Sequence, residues 1–363
     1  MELTTILTGL IASLTGLVSF VNINTIIEFL KYVQIPDFTL FVVVLTFARV
    51  PFEILSFTFL GTFNETTVIA TSKNLQNFNV LLKQSILAVF FALLFLPAST
   101  FVLPIIWSEI KTYTIILSAL LFSFISIKYF KKNWKETTTV ILLSSICGII
   151  TLHTLSSSGL FPLLTGLYAI PTLLIISEKQ EKHLQKTEFN FKISLAGAIA
   201  ALISGVLPAV GSSLVAILAA GIFTLESFAF QSLVFSIYSA RIIFDFANVY
   251  TIGKARSMAA TLLPYNITYE QMLTLVIIGI ACMLLTSGMA YLLSTKLKKI
   301  NINTQITKHV LLILIIIAVA IQTGPFGILA MTTSTIIGIY AAKCENRILL
   351  SACLIASALS TLF

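Results

Sequence analysis

The chain has 363 residues, of which 58% are hydrophobic and 10% are charged. An average soluble domain carries about 25% charged residues, so this composition excludes an ordinary soluble domain and predicts an all-α polytopic membrane protein. The net charge of +8 comes from lysines that flank apolar stretches. No separate basic domain is formed, which argues against nucleic-acid binding.

Apolar stretches long enough to cross the hydrocarbon core, about 20 residues each, follow one another along the chain. We expect about ten to twelve crossings, some of them partial, in the plasma membrane. The first is expected to be retained, because no basic residue precedes it and no cleavage site follows. The stretches lie near residues 4–30, 38–61, 84–107, 112–130, 138–153, 158–177, 193–222, 228–252, 270–295, 309–322, 325–342 and 347–362.

Lysines gather at three edges of these stretches. Basic loops stay on the cytoplasmic side of most membrane proteins, so we expect all three groups to be cytoplasmic. The groups are Lys128, Lys131, Lys132 and Lys135; Lys179, Lys182, Lys186 and Lys192; and Lys296, Lys298, Lys299 and Lys308.

One motif occurs twice inside apolar sequence. Residues 48–53, ARVPFE, recur as residues 240–245, ARIIFD, 192 residues later (241 − 49). Just upstream, the residues around Gly16 recur around Gly205, 189 residues later (205 − 16). Many solute carriers are built from two copies of one apolar unit, so the leading hypothesis is transport.

A polar connector divides the chain into two halves. Residues 1–177 form the first membrane repeat, residues 178–192 the charged connector and residues 193–363 the second membrane repeat. A third match pairs Gly159 with Gly324, now 165 residues apart (324 − 159). The pattern leaves open whether the two halves are parallel or inverted.

Each repeat contains a predicted break in an apolar helix. Proline, glycine and small polar residues tolerate unwound backbone, and such backbone survives in a membrane only beside protein or a cavity. The helix that restarts after each break presents its amide groups to an anion, and nearby polar side chains add contacts. The predicted substrate-binding residues at the breaks are Asn22, Asn24 and Thr25, and Pro208, Gly211, Ser212 and Ser213. Two helices kinked by small residues remain the alternative interpretation.

Two predicted ion pairs lie in the repeated motif. Arg49 and Glu53, like Arg241 and Asp245, are four residues apart and so share one face of a helix. One interpretation is a pair of salt bridges that join helices. The other is that Arg241 attracts an anionic substrate while Arg49, Glu53, Asp245 and the later Glu65 serve ion coupling or gating. Since Pro51 interrupts the first motif, its geometry is expected to be the looser one.

Three runs resemble the large membrane subunit of the tripartite tricarboxylate transporters (TctA type), especially its shorter archaeal relatives. The runs are GLFPLLTGLYAIPTLL at 159–174, SGVLP at 204–208 with GSS at 211–213, and GKARSMAA at 253–260. The resemblance implies a permease for dicarboxylates and tricarboxylates, driven by an ion gradient. It also implies a soluble binding protein and a small membrane subunit as partners.

A flippase for lipids or oligosaccharides is the nearer alternative, but it needs several cations for a pyrophosphate, and the repeated motif offers one arginine in each half. An intramembrane enzyme is the other alternative. The chain lacks H-E-x-x-H, G-x-S-x-G and paired aspartates, so we expect no enzyme activity. The four cysteines have no C-x-x-C spacing, so neither a metal nor a cofactor is expected apart from a coupling Na⁺ or H⁺.

Overall fold

A computed structural model describes residues 2–17, 26, 35–60, 78–175, 189–207, 210–222, 227–254, 257–264, 266–297 and 304–360. Every regular element within these ranges is helical, and none of them is a strand. The predicted all-α class is therefore confirmed. Because hydrocarbon offers no partner for backbone amides and carbonyls, a chain of this composition satisfies them inside helices.

The helices of the first half are α1 Glu2–Ser13, α2 Phe38–Leu60, α3 Phe78–Ile110, α4 Thr114–Lys132, α5 Trp134–Leu155, α6 Leu160–Leu164 and α7 Ile170–Ile175. Those of the second half are α8 Phe191–Val206, α9 Ser212–Ile222, α10 Ser227–Ile252, α11 Met258–Thr261, α12 Tyr269–Leu297, α13 Thr304–Lys343 and α14 Ala352–Ser360. A short 3₁₀ turn, Leu14–Leu17, extends α1, and a π turn, Thr165–Ala169, joins α6 to α7. Most bounds lie within a few residues of the predicted apolar stretches.

Six helical segments in the described ranges are long and apolar enough to cross a membrane. Shorter apolar helices accompany them, among them Phe191–Val206 and Leu349–Ser360. The chain therefore has the character of a membrane protein. The total of ten to twelve crossings stays a prediction, because the shorter helices do not reach the length of about 20 residues that a crossing needs.

Helices α2 and α10 form the centre of the protein. Every side chain from residue 40 to residue 58 is buried, as is nearly every one from residue 231 to residue 249. Phe47 on α2 packs against Phe246 on α10 with 5.8 Å between ring centroids, and Phe57 packs against Phe235 at 4.9 Å. Residue numbers rise along one helix while they fall along the other, so α2 and α10 run antiparallel.

Glycines bring each central helix close to its neighbour. A Cβ added to Gly9 would lie 2.8 Å from Val44, and one added to Gly197 would lie 2.4 Å from the Cβ of Ser236. A second glycine follows in each case: Gly16 lies against Phe52 on α2, and Gly205 lies against Phe244 on α10. Residue numbers rise together in both contacts. Helix α1 therefore runs in the same direction as α2, and α8 in the same direction as α10.

The predicted break of the second half is confirmed. Helix α8 ends at Val206, Leu207 is extended with φ −83° and ψ 129°, and α9 begins at Ser212. Because α8 and α10 run in the same direction and α9 lies between them in sequence, α9 runs back along both. Helices α8 and α9 form a hairpin that packs on α10. The break predicted near residues 22–25 lies outside the described residues.

Two further breaks interrupt helical sequence. Helix α5 ends before Ser156, where φ is 52° and ψ is −139°, and α13 is kinked at Gly324, where φ is 64° and ψ is −157°. The sequence match pairs Gly159 with Gly324, but the backbone conformation that resembles Gly324 occurs three residues before Gly159. Pro325 favours the break at Gly324, because a proline disfavours helical backbone at the preceding residue.

The close approach of α8 to α10 leads to a stability prediction. Replacing Gly197 by alanine places a methyl group 2.4 Å from the Cβ of Ser236, so the helices must separate. We expect destabilisation by about 1–3 kcal/mol, which is usual for overpacking. Thermal unfolding in detergent, followed by intrinsic fluorescence, measures it. Gly288→Ala on α12 is the matched control, since nothing lies within 4 Å of its added Cβ. Equal midpoints for the two variants would contradict the packing.

Candidate functional site

Six of the predicted site residues fall where both backbone and side chain are described. These are Arg49, Glu53, Gly211, Ser212, Arg241 and Asp245. Ser213 lies in α9, but its side chain is outside the described part of the chain. The predictions for Asn22, Asn24, Thr25, Glu65 and Pro208 also lie outside the described residues.

The first ion pair, Arg49 with Glu53, is short and fully buried. Arg49 Nε donates to Glu53 Oε1 at 2.6 Å, and their side chains are 0% and 1% exposed. Gly16 covers the arginine, because a Cβ added there would lie 2.8 Å from Arg49 Cγ. The expectation that Pro51 loosens this pair was wrong. Helix α2 continues through Pro51, and exclusion of water strengthens the attraction between the two charges.

The second ion pair is longer and partly open. Arg241 Nε lies 3.5 Å from Asp245 Oδ2, and the side chains are 15% and 5% exposed. Arg241 Nη1 donates to the carbonyl oxygen of Val210 at 3.3 Å. The guanidinium therefore reaches from the middle of α10 to the tip of the α8–α9 hairpin.

Asn248 fastens the same tip from the next turn of α10. Its Nδ2 donates to the carbonyl oxygen of Gly205 at 2.7 Å, which is one of the last carbonyls of α8 and lacks a helical partner. Sequence reasoning missed this residue. The available signal was an amide in a strongly apolar helix, three residues after Asp245 and seven after Arg241, so that all three lie on one face.

The start of α9 supplies donors beside Arg241. The carbonyl oxygen of Gly211 accepts from the amides of Leu214 and Val215 at 3.1 and 3.3 Å, which closes the first turn of the helix. The earliest amides of a helix have no acceptor within it, and they carry the positive end of its dipole. Ser212 Oγ is fully buried there and has no hydrogen-bond partner among the described residues. Amides, a hydroxyl and a guanidinium thus lie together at the hairpin tip.

The two ion pairs lie at the same level of the protein with opposite polarity. Interpolation between the Phe47–Phe246 and Phe57–Phe235 contacts places Arg49 about level with residue 244, and Glu53 about level with residues 239–240. Each arginine is therefore nearer in level to the acid of the other helix than to its arginine.

Two further sources of functional information, metal-binding groups among the described residues and similarity to known proteins, give no result for this chain. The described ranges contain no group of three or more His, Cys, Asp or Glu side chains that could hold a metal ion. No family model, curated protein or solved structure matches this chain. The hairpin tip and the two ion pairs are therefore the features whose chemistry points to a function.

The closed pair leads to a prediction about stability. Arg49→Met leaves Glu53 charged and buried without its arginine, and breaking a buried pair from one side costs about 3–5 kcal/mol. We expect Arg49→Met to lower the thermal midpoint in detergent strongly or to prevent recovery of folded protein. The double variant Arg49→Met/Glu53→Gln removes both charges and should regain most of the loss. A double variant no more stable than the single one would contradict a structural role for the pair.

Proposed function

We propose that the chain is a multi-pass permease of the plasma membrane that moves small organic anions, dicarboxylates or tricarboxylates, by secondary active transport. The observation that carries the proposal is the contact between Arg241 and Val210, which puts a guanidinium beside the start of α9. A cation and the amino end of a helix both favour a carboxylate. The resemblance to the TctA-type subunits agrees with this substrate class.

Binding of one carboxylate group would use donors already at the tip. The first amides of α9 and Ser212 Oγ donate to the oxygens, while Arg241 supplies the long-range attraction. Arg241 is suited to this role because its side chain keeps 15% exposure and its ion pair is 3.5 Å long, so a substrate can compete for it. Arg49 is fully buried and closed at 2.6 Å, which suits an anchor.

Such transport requires the substrate site to open to each side of the membrane in turn. Carriers built from inverted repeats do this by moving one repeat against the other. Helices α2 and α10 run antiparallel, and residues 50–51 lie level with residues 242–243, the positions that match them at the repeat interval of 192 (242 − 50). A two-fold axis between them relates the halves with opposite orientations in the membrane. Carriers of this kind place the substrate near the bilayer midplane at the repeat interface.

The α8–α9 hairpin is re-entrant in this proposal. At 1.5 Å per residue, α8 with 16 residues is about 24 Å long and α9 with 11 residues is about 16 Å long, short of the roughly 30 Å of hydrocarbon. The hairpin enters and leaves on one side, and its tip meets α10 between Arg241 and Asn248. Asp245, between those two residues, is the group we assign to the coupling Na⁺ or H⁺. A small membrane subunit and a binding protein are proposed partners through the resemblance.

Uptake measurements test the assignment of the tip. Arg241→Ala and Ser212→Ala should each lower the uptake of labelled citrate or succinate into proteoliposomes at least about tenfold, as loss of a charge-assisted contact predicts. Lys254→Ala changes an exposed cation just after α10 and is the matched control. Size-exclusion chromatography verifies that all variants fold. Normal uptake by folded Arg241→Ala and Ser212→Ala would eliminate the hairpin tip as the substrate site.

Coupling is tested separately at Asp245. Asp245→Asn removes the charge that we assign to the driving ion, so uptake should lose its dependence on a Na⁺ or pH gradient. Exchange between labelled and unlabelled substrate across the vesicle membrane should continue, since exchange needs no net ion movement. Glu270→Gln, an exposed acid at the start of α12, serves as the control. Gradient-driven uptake that stays intact in Asp245→Asn would refute the coupling role.

A further inference from the structure

A third buried arginine lies far from the hairpin in sequence, at the end of α13. After Lys343 the chain reverses: Glu345 has φ 58°, its amide donates to the carbonyl of Ala342 at 3.3 Å, and the amide of Asn346 donates to the carbonyl of Ala341 at 2.8 Å. These two bonds form the Schellman closure of a helix end. The reversal directs the chain back against the protein, and Arg347 is the next residue.

Arg347 is buried with little to neutralise it. The residue is 6% exposed, and Nη1 donates to Thr172 Oγ1 on α7 at 3.0 Å. Its Nε has no hydrogen-bond partner, and no carboxylate forms a salt bridge with it anywhere in the described ranges. An arginine remains charged in proteins, so a buried one needs an anion.

The end of α13, which precedes Arg347, lies at an edge of the apolar region that carries lysines together with the acids Glu136 and Glu345. The nearest carboxylate in sequence, Glu345, is already engaged by Lys132, with 2.6 Å between Nζ and Oε2. Lys343 is exposed at the same edge. Lys132 belongs to one of the lysine groups predicted to be cytoplasmic. The Lys132–Glu345 contact puts the end of α13 beside this lysine group, which the sequence predicts to be cytoplasmic.

We propose that Arg347 and Thr172 form a binding site for a phosphate group at the membrane interface. Guanidinium is planar and presents parallel N–H donors, the geometry that phosphate oxygens accept best. The phosphate belongs to an anionic phospholipid or to a free phosphate ion, and both share this chemistry. The cytoplasmic leaflet of membranes is rich in anionic lipids, which are attracted to basic edges of this kind. The site is separate from the hairpin tip and does not depend on the transport proposal.

Lipid binding to purified protein tests this site without any transport assay. Native mass spectrometry and thermal unfolding in detergent would be measured with phosphatidylglycerol, phosphatidylcholine or inorganic phosphate added. We expect phosphatidylglycerol to bind and to raise the unfolding midpoint more than phosphatidylcholine does. Arg347→Gln should weaken phosphatidylglycerol binding about tenfold, the usual effect of losing a charge-assisted hydrogen bond. A shift with inorganic phosphate that also disappears in Arg347→Gln would assign the site to the free ion.

Two further variants, Arg347→Lys and Lys343→Gln, distinguish a loss of lipid binding from a loss of folding. Arg347→Lys keeps the charge but loses the parallel donors, so it should fold and bind phosphatidylglycerol more weakly than the wild type. Lys343→Gln removes an exposed cation from the same edge and should bind normally. Unchanged phosphatidylglycerol binding by Arg347→Gln would overturn the proposal. It would also be overturned if Glu178→Gln/Glu181→Gln lowered the unfolding midpoint in wild-type protein but not in Arg347→Gln, because a carboxylate of the chain would then be the counterion.

Discussion

Four charges lie in the apolar centre of this protein, and the need to neutralise them governs the arrangement around them. A charge without a partner inside hydrocarbon is costly, so each arginine is paired within its own helix, Arg49 with Glu53 and Arg241 with Asp245. The antiparallel course of α2 and α10 also sets each arginine nearer in level to the acid of the other helix than to its arginine. Both helices are buried along most of their length. Both pairs therefore lie in the buried centre of the protein.

The two copies of the motif have separate properties although their sequences are alike. Gly16 lies directly on Arg49, which closes the first pair and excludes water. In the second copy Gly205 lies against Phe244 and near Asn248, so the arginine remains partly exposed and reaches Val210. A fully buried pair such as Arg49 and Glu53 contributes to the fold. A partly exposed arginine such as Arg241 can also be reached by a substrate anion. This difference is why we assign substrate binding to Arg241 and not to Arg49.

Short side chains decide how closely the helices of each half approach. Gly9 on α1, Gly16 on the turn that extends α1, and Gly197 and Gly205 on α8 contact the central helices at corresponding positions. In a membrane, helices gain little from burying apolar surface and associate through close packing of small residues. The same device holds the α8–α9 hairpin against α10. It leaves the start of α9 beside two polar side chains of α10, Arg241 and Asn248.

Much of the helical architecture could be predicted from the sequence. Apolar length sets the approximate bounds of the helices, spacing by four predicts that each arginine pairs with its acid, and Pro208 and Gly211 predict the break before α9. These features are local, because they depend on residues a few positions apart. The prediction that Pro51 loosens the first pair was wrong, because the length of that pair is not a local property. The length of that pair depends on Gly16, which lies against it from another helix.

Other features arise only when distant residues meet. The hydrogen bond between Asn248 and Gly205 and the one between Arg347 and Thr172 join helices that are far apart in the chain. No local sequence pattern predicts which amide or guanidinium group will be buried. The relative direction of α2 and α10 likewise follows only from the contacts of Phe47 and Phe57 with Phe246 and Phe235. The sequence by itself determined that the chain forms apolar helices with paired charges and a broken span, because those properties follow from composition and short spacing. Only the tertiary structure decided which pair is closed, which is open and what lies beside them, because burial is produced by neighbours that the chain brings from elsewhere.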